Sequence, residues 1–282
     1  MDTPGFKTIL CPVDFGELSA HALRHANLLA GCGNAKVIAI YANWFEAPAY
    51  FTAGRVEELQ KQYRGAFAEA ERSLRAFVDS TLGENAVNVE IRVVEALPAD
   101  GIRELAANTD ADLVVMGTHG RSGFNRWMLG SVTERILRES RVPLLTVRAA
   151  PRGPVRRILS PIDGTEASRN AFRLAAGLGA CFNAEITAVY VHEGGSAQTV
   201  PDLCRWIPAE AQQRCNIREL VRHGDPAEEI VALASEEAFD LLVIGAPRRR
   251  FFEGLVLGTT TLRAVRHAPC PVLTVSGAGE VR

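Results

Sequence analysis

The feature that most constrains this chain is that it is written twice. The stretch DLVVMGTHG, Asp112 to Gly120, returns as DLLVIGAPR, Asp240 to Arg248, and VPLLTV from Val142 returns as CPVLTV from Cys270. Both pairs are offset by 128 residues, from 112 to 240 and from 142 to 270. Near the starts, ILCPVDFGELS from Ile9 matches ILSPIDGTEAS from Ile158, and Asp14 pairs with Asp163 at an offset of 149. The second copy is therefore 21 residues shorter in its early half, the difference between those two offsets. The missing portion corresponds to the region around NWFEAPAYFTAGRVEELQKQYRGAFAEAERSL of copy one. A repeat of this length means two units of one architecture. The Pro, Gly and Arg cluster of RAAPRGPVRR, Arg148 to Arg157, marks the join, giving expected domains at 1–150 and 151–282.

Within each copy, short β-branched runs alternate with longer stretches of helical period. Copy one reads as strands at Thr8–Val13, Lys36–Tyr41, Asn88–Val94, Leu113–Met116 and Leu144–Val147, each too short and too continuously apolar for a helix. Four helices lie between them. Ser19 is placed to cap the first, which stops near Gly31 and Gly33; the others run from about Val56 to Leu82, from Pro98, and after Ser131. The expected fold class is α/β: two doubly wound domains, each a five-stranded, mainly parallel sheet flanked by helices. Such sheets bind ligands beyond the carboxyl ends of their strands, where strand order reverses.

The loop after the fourth strand carries the chemistry. It runs from Gly117 through His119, Gly120, Arg121 and Arg126 to Gly130 and Ser131, where a helix begins. Glycines allow backbone N–H groups to approach an anion, a helix N-terminus attracts negative charge, and His119, Arg121 and Arg126 add positive charge. A glycine-rich loop that binds nothing is the plain alternative.

Spacing and context favour the cradle, because here the sequence resembles the universal stress proteins in their tandem form. The resemblance covers nearly the whole chain. The family's nucleotide signature is a glycine, two residues, a glycine, nine residues, then glycine with Ser or Thr, and copy one supplies it as Gly117, Gly120, Gly130 and Ser131. The early Pro12, Val13 and Asp14 and the strand VPLLTV also fit. The resemblance implies an ATP site, with Mg or Mn on the phosphates. By that resemblance Asp14 would lie beside ribose and adenine, Ala42 would border the adenine, and Gly117, Gly120, Gly130 and Ser131 would hold the phosphates, with Pro12, Val13, Met116, His119, Arg121 and Val132 completing the expected binding residues. It also implies that Leu144–Val147 and Val272–Val275 meet as a pseudo-dimer inside the chain, leaving a homodimer of whole chains open.

Copy two departs from the signature. It reads Gly245-Ala-Pro-Arg248, nine residues, Gly258-Thr259, so an arginine stands where the second glycine belongs. A lost or altered site is expected there, with Asp163, Gly258 and Thr259 as remnants. The run Arg248 to Arg250 before Phe251 and Phe252 reads as a solvated or phosphate-facing loop rather than a nucleic-acid surface, since 31 basic and 33 acidic residues leave the chain at a formal charge of -2.

No GxxxxGK followed by Ser or Thr occurs, no dinucleotide fingerprint, and no GxSxG elbow. Cys11 reads as a buried apolar residue, and a zinc site from His192, Cys204, Cys215 and His223 has no standard spacing. The six cysteines lack CxxC spacing and the start lacks a leader pattern, so a cytoplasmic protein without a structural disulfide is expected, with no membrane or nucleic-acid partner. The aromatics Trp44, Phe45, Tyr50 and Phe51 read as packing between the copies, with an exposed patch as the alternative. The functional expectation is an ATP-responsive stress or regulatory protein with an unknown protein partner. The alternatives are a slow ATPase, with no catalytic residue assigned, and a nucleotide-independent scaffold or small-ligand carrier working through copy two.

Overall fold

The structure is a computed structural model that describes residues 5–44, 53–86, 88–120, 129–194, 203–206, 215–251 and 254–277, with backbone only at 53–64, 204, 248–251 and 254–257. Copy one contributes β1 (Thr8–Pro12), α1 (Glu17–Ala30), β2 (Lys36–Ala42), α2 (Ala53–Leu82), β3 (Val89–Val94), α3 (Pro98–Asn108), β4 (Leu113–Gly117), α4 (Ser131–Glu139) and β5 (Leu144–Val147). Copy two repeats the series as β6 (Arg157–Ile162), α5 (Glu166–Phe182), β7 (Glu185–His192), β8 (Asn216–His223), α6 (Pro226–Glu236) and β9 (Leu241–Ala246). It continues with a hairpin of β10 (Arg248–Phe251) and β11 (Gly254–Leu257), then α7 (Thr259–His267) and β12 (Val272–Ser276).

Ten of these strands form one sheet, ordered β3-β2-β1-β4-β5-β12-β9-β6-β7-β8. All pairs are parallel except β5 with β12, which run antiparallel with Leu145 opposite Leu273. The two halves therefore join edge to edge, each covering the other's exposed strand. Thr146 Oγ1 donates to the Val272 carbonyl and Thr274 Oγ1 to the Leu144 carbonyl, both at 3.2 Å. These threonines are 128 residues apart, so the seam is built by the repeat itself and meets as an internal pseudo-dimer.

Alternation along each strand divides the core in two. Ile9, Cys11, Val37, Ala39, Leu113, Val115 and Leu145 face one side with α1, α2 and α5; Leu10, Ile38, Ile40, Val114, Met116 and Leu144 face the other. Parallel strands covered on both faces explain the unbroken apolar runs of the sequence. Cys11 is fully buried in the first of these layers, and burial drives its thiol far above the usual range, so it packs as an apolar residue.

The repeated Asp of the DLVVMG and DLLVIG stretches also has a structural role. Asp112 Oδ2 accepts from Lys7 N (2.7 Å) and Thr8 N (2.8 Å), and Asp240 Oδ2 accepts from Arg156 N (2.8 Å) and Arg157 N (3.0 Å). Each carboxylate thus starts the first strand of its copy from the turn before the fourth.

Three expectations are corrected. Cys32 and Cys181 form a disulfide, with Cα atoms 5.7 Å apart, where none was expected; scattered spacing says nothing about residues that the fold brings together across the seam. Ser19 is not the cap of α1; Gly16 is, and Ser19 sits inside the first turn with its hydroxyl turned to Asp14. Trp44 is exposed rather than packed between the copies, while Phe45, Tyr50 and Phe51 lie outside the described residues.

Candidate functional site

Strand order reverses between β1 and β4, and the loops after these two strands converge there. After β1, Val13 N donates to the Ile40 carbonyl (2.8 Å), and the chain then turns sharply. Phe15 adopts φ +63°, a left-handed conformation that costs a bulky residue roughly 1–2 kcal/mol. Copy two places Gly164 at the equivalent position, with φ +78°. The Phe15 ring packs on Tyr41 (centroids 4.8 Å apart) and Phe77 (5.7 Å), which holds the turn despite its cost.

That turn aims Asp14. Its Oδ1 accepts from Gly16 N (2.9 Å) and from the Ser19 hydroxyl, whose oxygen in turn accepts from Asp14 N (2.9 Å). Its Oδ2 faces the β4 loop: a Cβ on Gly120 would stand 2.9 Å from it. A Cβ on Gly130 would stand 3.1 Å from His119 Cα and 3.6 Å from Gly120 N. Asp14, His119, Gly120 and Gly130 are therefore in one place, beside the N-terminus of α4.

The other residues divide by role. Val13 and Met116 bury their side chains in opposite core layers, and Pro12 ends β1. Ala42 ends β2 opposite Val94, close to Gly101 at the start of α3. Ser131 is exposed at the first position of α4 and Val132 packs partly against the core. Arg121 and Arg126 lie outside the described residues.

Two signature glycines also serve the packing of the loop. A Cβ on Gly117 would meet Leu18 Cβ at 2.7 Å and the His119 carbonyl oxygen at 3.3 Å, so this glycine lets β4 and its loop pack against the first turn of α1. Gly245 does the same, its Cβ position lying 2.6 Å from Ser168 N. Gly130 does not offer a free N–H, because that group donates to the Thr118 carbonyl at 2.8 Å. The donors without intrahelical partners at this end of α4 are those of its first turn. Thr133 and Thr261 lock each loop, donating to the carbonyls of Gly117 and Gly245, both at 2.9 Å.

His119 is electrostatically perturbed. Its pKa lies below the usual histidine value, lowered first by burial and then by the nearby Arg148 guanidinium, with Asp14 opposing. At neutral pH it is an uncharged donor or acceptor, with Thr118 Oγ1 3.2 Å from Nδ1. Arg148 is itself held by copy two, donating to the carbonyls of Val265 (3.0 Å) and Arg266 (2.7 Å) in α7. The site of copy one thus borders the other half.

Copy two builds a different site. Asp163 Oδ1 accepts from Thr165 N (2.9 Å) and Thr165 Oγ1 (2.6 Å). Where a phosphate loop would lie, β10 and β11 form an antiparallel hairpin with Arg248 opposite Leu257. The zinc candidates separate: His192 and His223 stack at 5.5 Å between centroids at one end of β7 and β8, while Cys215 lies before the other end and bonds the Ala176 carbonyl. The Cys204 side chain is outside the described residues; among those described, no group of three or more His, Cys, Asp or Glu side chains is arranged to hold a metal. No described helix is long and apolar enough to cross a membrane.

Sequence reading missed the Phe15 turn, although the alignment of Phe15 with Gly164 carried the signal. It also missed the cysteine pair, although 32 and 181 differ by the same 149 residues as Asp14 and Asp163.

Comparison with known proteins agrees with this architecture. The model of the universal stress protein family matches twice, at residues 5–148 and 154–276. Universal stress protein MJ0531 of Methanocaldococcus jannaschii is 33% identical over 147 residues, which are 51% of this chain and 82% of that protein. The crystal structure of a universal stress protein from Archaeoglobus fulgidus matches 99% of this chain and 100% of its own with a TM-score of 0.72 at 18% identity, a likeness of fold. A universal stress protein solved in complex with cAMP matches 51% of this chain and 98% of its own at 25% identity, with a TM-score of 0.38. The chain belongs to the universal stress protein family and carries two of its domains in tandem.

Proposed function

We propose that this protein binds one ATP in its N-terminal half, over the carboxyl ends of β1 and β4, and serves the cell as a nucleotide-responsive stress or regulatory protein of the cytoplasm. The observation that carries this reading is the convergence of Asp14, Gly120 and the start of α4 at the strand-order reversal, in a loop that keeps the full glycine spacing. Asp14 is held by Gly16 and Ser19 with one oxygen directed at the loop, which suits hydroxyl groups of a ribose. The absence of a Cβ at Gly120 leaves backbone where a phosphate chain approaches, Gly130 lets the loop close against His119, and the first turn of α4 supplies N–H donors and a positive dipole end. The backbone around Ala42, at the end of β2, borders the base.

A divalent ion, Mg or Mn, would travel with the phosphates and water, because the described carboxylates build no cage for it. Copy two, with Arg248 in place of the glycine and a hairpin in place of the loop, is the half free to serve a partner. Binding rather than hydrolysis is favoured, since an uncharged His119 adds no positive charge to stabilise phosphoryl transfer.

The test is an ATP titration of nucleotide-stripped protein beside Asp14→Ala and Gly130→Val. The reading expects binding by the wild type and weakened binding by both variants while each remains folded. Unchanged affinity in both variants would place any nucleotide elsewhere.

A further inference from the structure

Cys32 and Cys181 occupy equivalent positions in the two copies. The surrounding chain repeats with them. Asn34 and Asn183, each two residues further on, both adopt φ +54°; Ala35 N donates to the Ala30 carbonyl (3.0 Å) and Ala184 N to the Gly179 carbonyl (2.9 Å). Each cysteine thus stands at the end of the first helix of its copy, in the same left-handed terminal turn. The turn of Cys32 is further pinned by Gly5, whose Cβ position would lie 2.8 Å from Gly33 Cα. One position meets its own counterpart across the pseudo-twofold, as in an isologous interface.

We propose that this pair is a reversible two-electron latch between the halves, closed by oxidation and opened by a dithiol. In closing, one thiol loses its proton and the thiolate attacks a peroxide oxygen, leaving a sulfenic acid and hydroxide, which takes up that proton as water. The second thiol then attacks that sulfur and releases a second water, so that two thiols and one hydrogen peroxide give one disulfide and two waters. In opening, a dithiol exchanges twice through a mixed disulfide and leaves as its own cyclic disulfide.

Three observations carry the assignment. Both cysteines are half-buried, so small oxidants and dithiols reach them, whereas Cys11 and Cys270 are buried. Cys215 is engaged with the Ala176 carbonyl. The halves stay joined without the bond, because β5, β12 and their threonines hold the seam. The latch also has something to act on. It ties the C-terminal ends of α1 and α5, whose first turns carry Leu18 and Ser19 against Gly117 and Asp14, and Ser168 against Gly245 and Asp163. Opening it frees the far end of two helices that shape both loop regions. This inference does not depend on the nucleotide reading.

The test uses the full chain, cycled between dithiothreitol and hydrogen peroxide under native conditions, alkylated at each stage and mapped by peptide mass spectrometry. Hydrogen exchange is followed in the same samples. The expected result is two thiols, at Cys32 and Cys181, that appear on reduction and vanish on oxidation, with exchange in the first turns of α1 and α5 at least threefold faster when reduced. Cys32→Ser and Cys181→Ser each remove that redox dependence, and thermal unfolding confirms that the variants fold. A bond that opens only on unfolding would overturn the latch. So would peroxide products other than the internal disulfide, or exchange that ignores the redox state.

Discussion

Asp14 and Gly120 share one space: the carboxylate Oδ2 lies 2.9 Å from where a Cβ on residue 120 would stand. A side chain at 120 and an Asp14 in this orientation are mutually exclusive. Copy two illustrates the alternative, with Arg248 at the matching position and Asp163 bound to Thr165. Replacing Asp14 by Ala removes a charged acceptor, and such hydrogen bonds contribute about 1.5–3 kcal/mol, so ATP affinity is expected to fall about 10- to 100-fold. Asp14→Asn, which keeps shape but not charge, should fall between the two when measured by the same titration.

The paired aspartates Asp112 and Asp240 should govern stability rather than binding. Each accepts two backbone N–H groups at the head of a first strand. Asp112→Ala and Asp240→Ala should each lower unfolding free energy by about 1.5–3 kcal/mol. Chemical denaturation checks this, with ATP affinity of the folded protein expected to stay within a factor of two.

Gly117 and Gly245 provide a second separation of fold from function. Their substitution by Ala forces a Cβ into Leu18 or into the backbone of Ala167 and Ser168. Overpacking of this kind costs about 1–3 kcal/mol. Gly245→Ala should be the worse of the two, because backbone yields less than a side chain, and a lower melting temperature for it than for Gly117→Ala is the expected readout.

Stability should also fall on mild acidification. The His25 pKa is lowered below 6.5, first by burial, with the His21 carbonyl opposing and the His21 charge adding. His119 moves in the same direction. Between the folded value and 6.5 the unfolded chain binds protons that the folded chain does not, so stability is present above that window and is lost as pH falls through it. Melting temperatures recorded from pH 7.5 to 5.5 should drop, and His25→Gln should flatten the profile; an equal slope in the variant would remove His25 as a cause.

Much of this was legible in the sequence because the repeat constrains so much. Doubled runs such as VPLLTV and CPVLTV place β5 and β12, and apolar runs without alternation announce strands covered on both faces. The departure of copy two was visible at Arg248, although the hairpin that replaces the loop was not. What escaped depends on contacts between distant segments. Nothing local distinguishes Gly117, which packs on Leu18, from Gly120, which faces Asp14. Nothing local shows that the Gly130 N–H is taken by Thr118 or that Arg148 reaches the end of α7. Cys32 and Cys181 are brought together only when the two halves assemble, and Ser19, three residues from the true cap, has the local pattern of a cap while its hydroxyl serves Asp14.

The most direct measurement is the number of ATP molecules bound per chain, by equilibrium dialysis with labelled ATP and magnesium, for the wild type and for Gly120→Arg. One ATP per wild-type chain and none in the folded variant is the predicted result. Two per chain, none in either protein, or equal binding by both would contradict a single site built on Asp14 and Gly120.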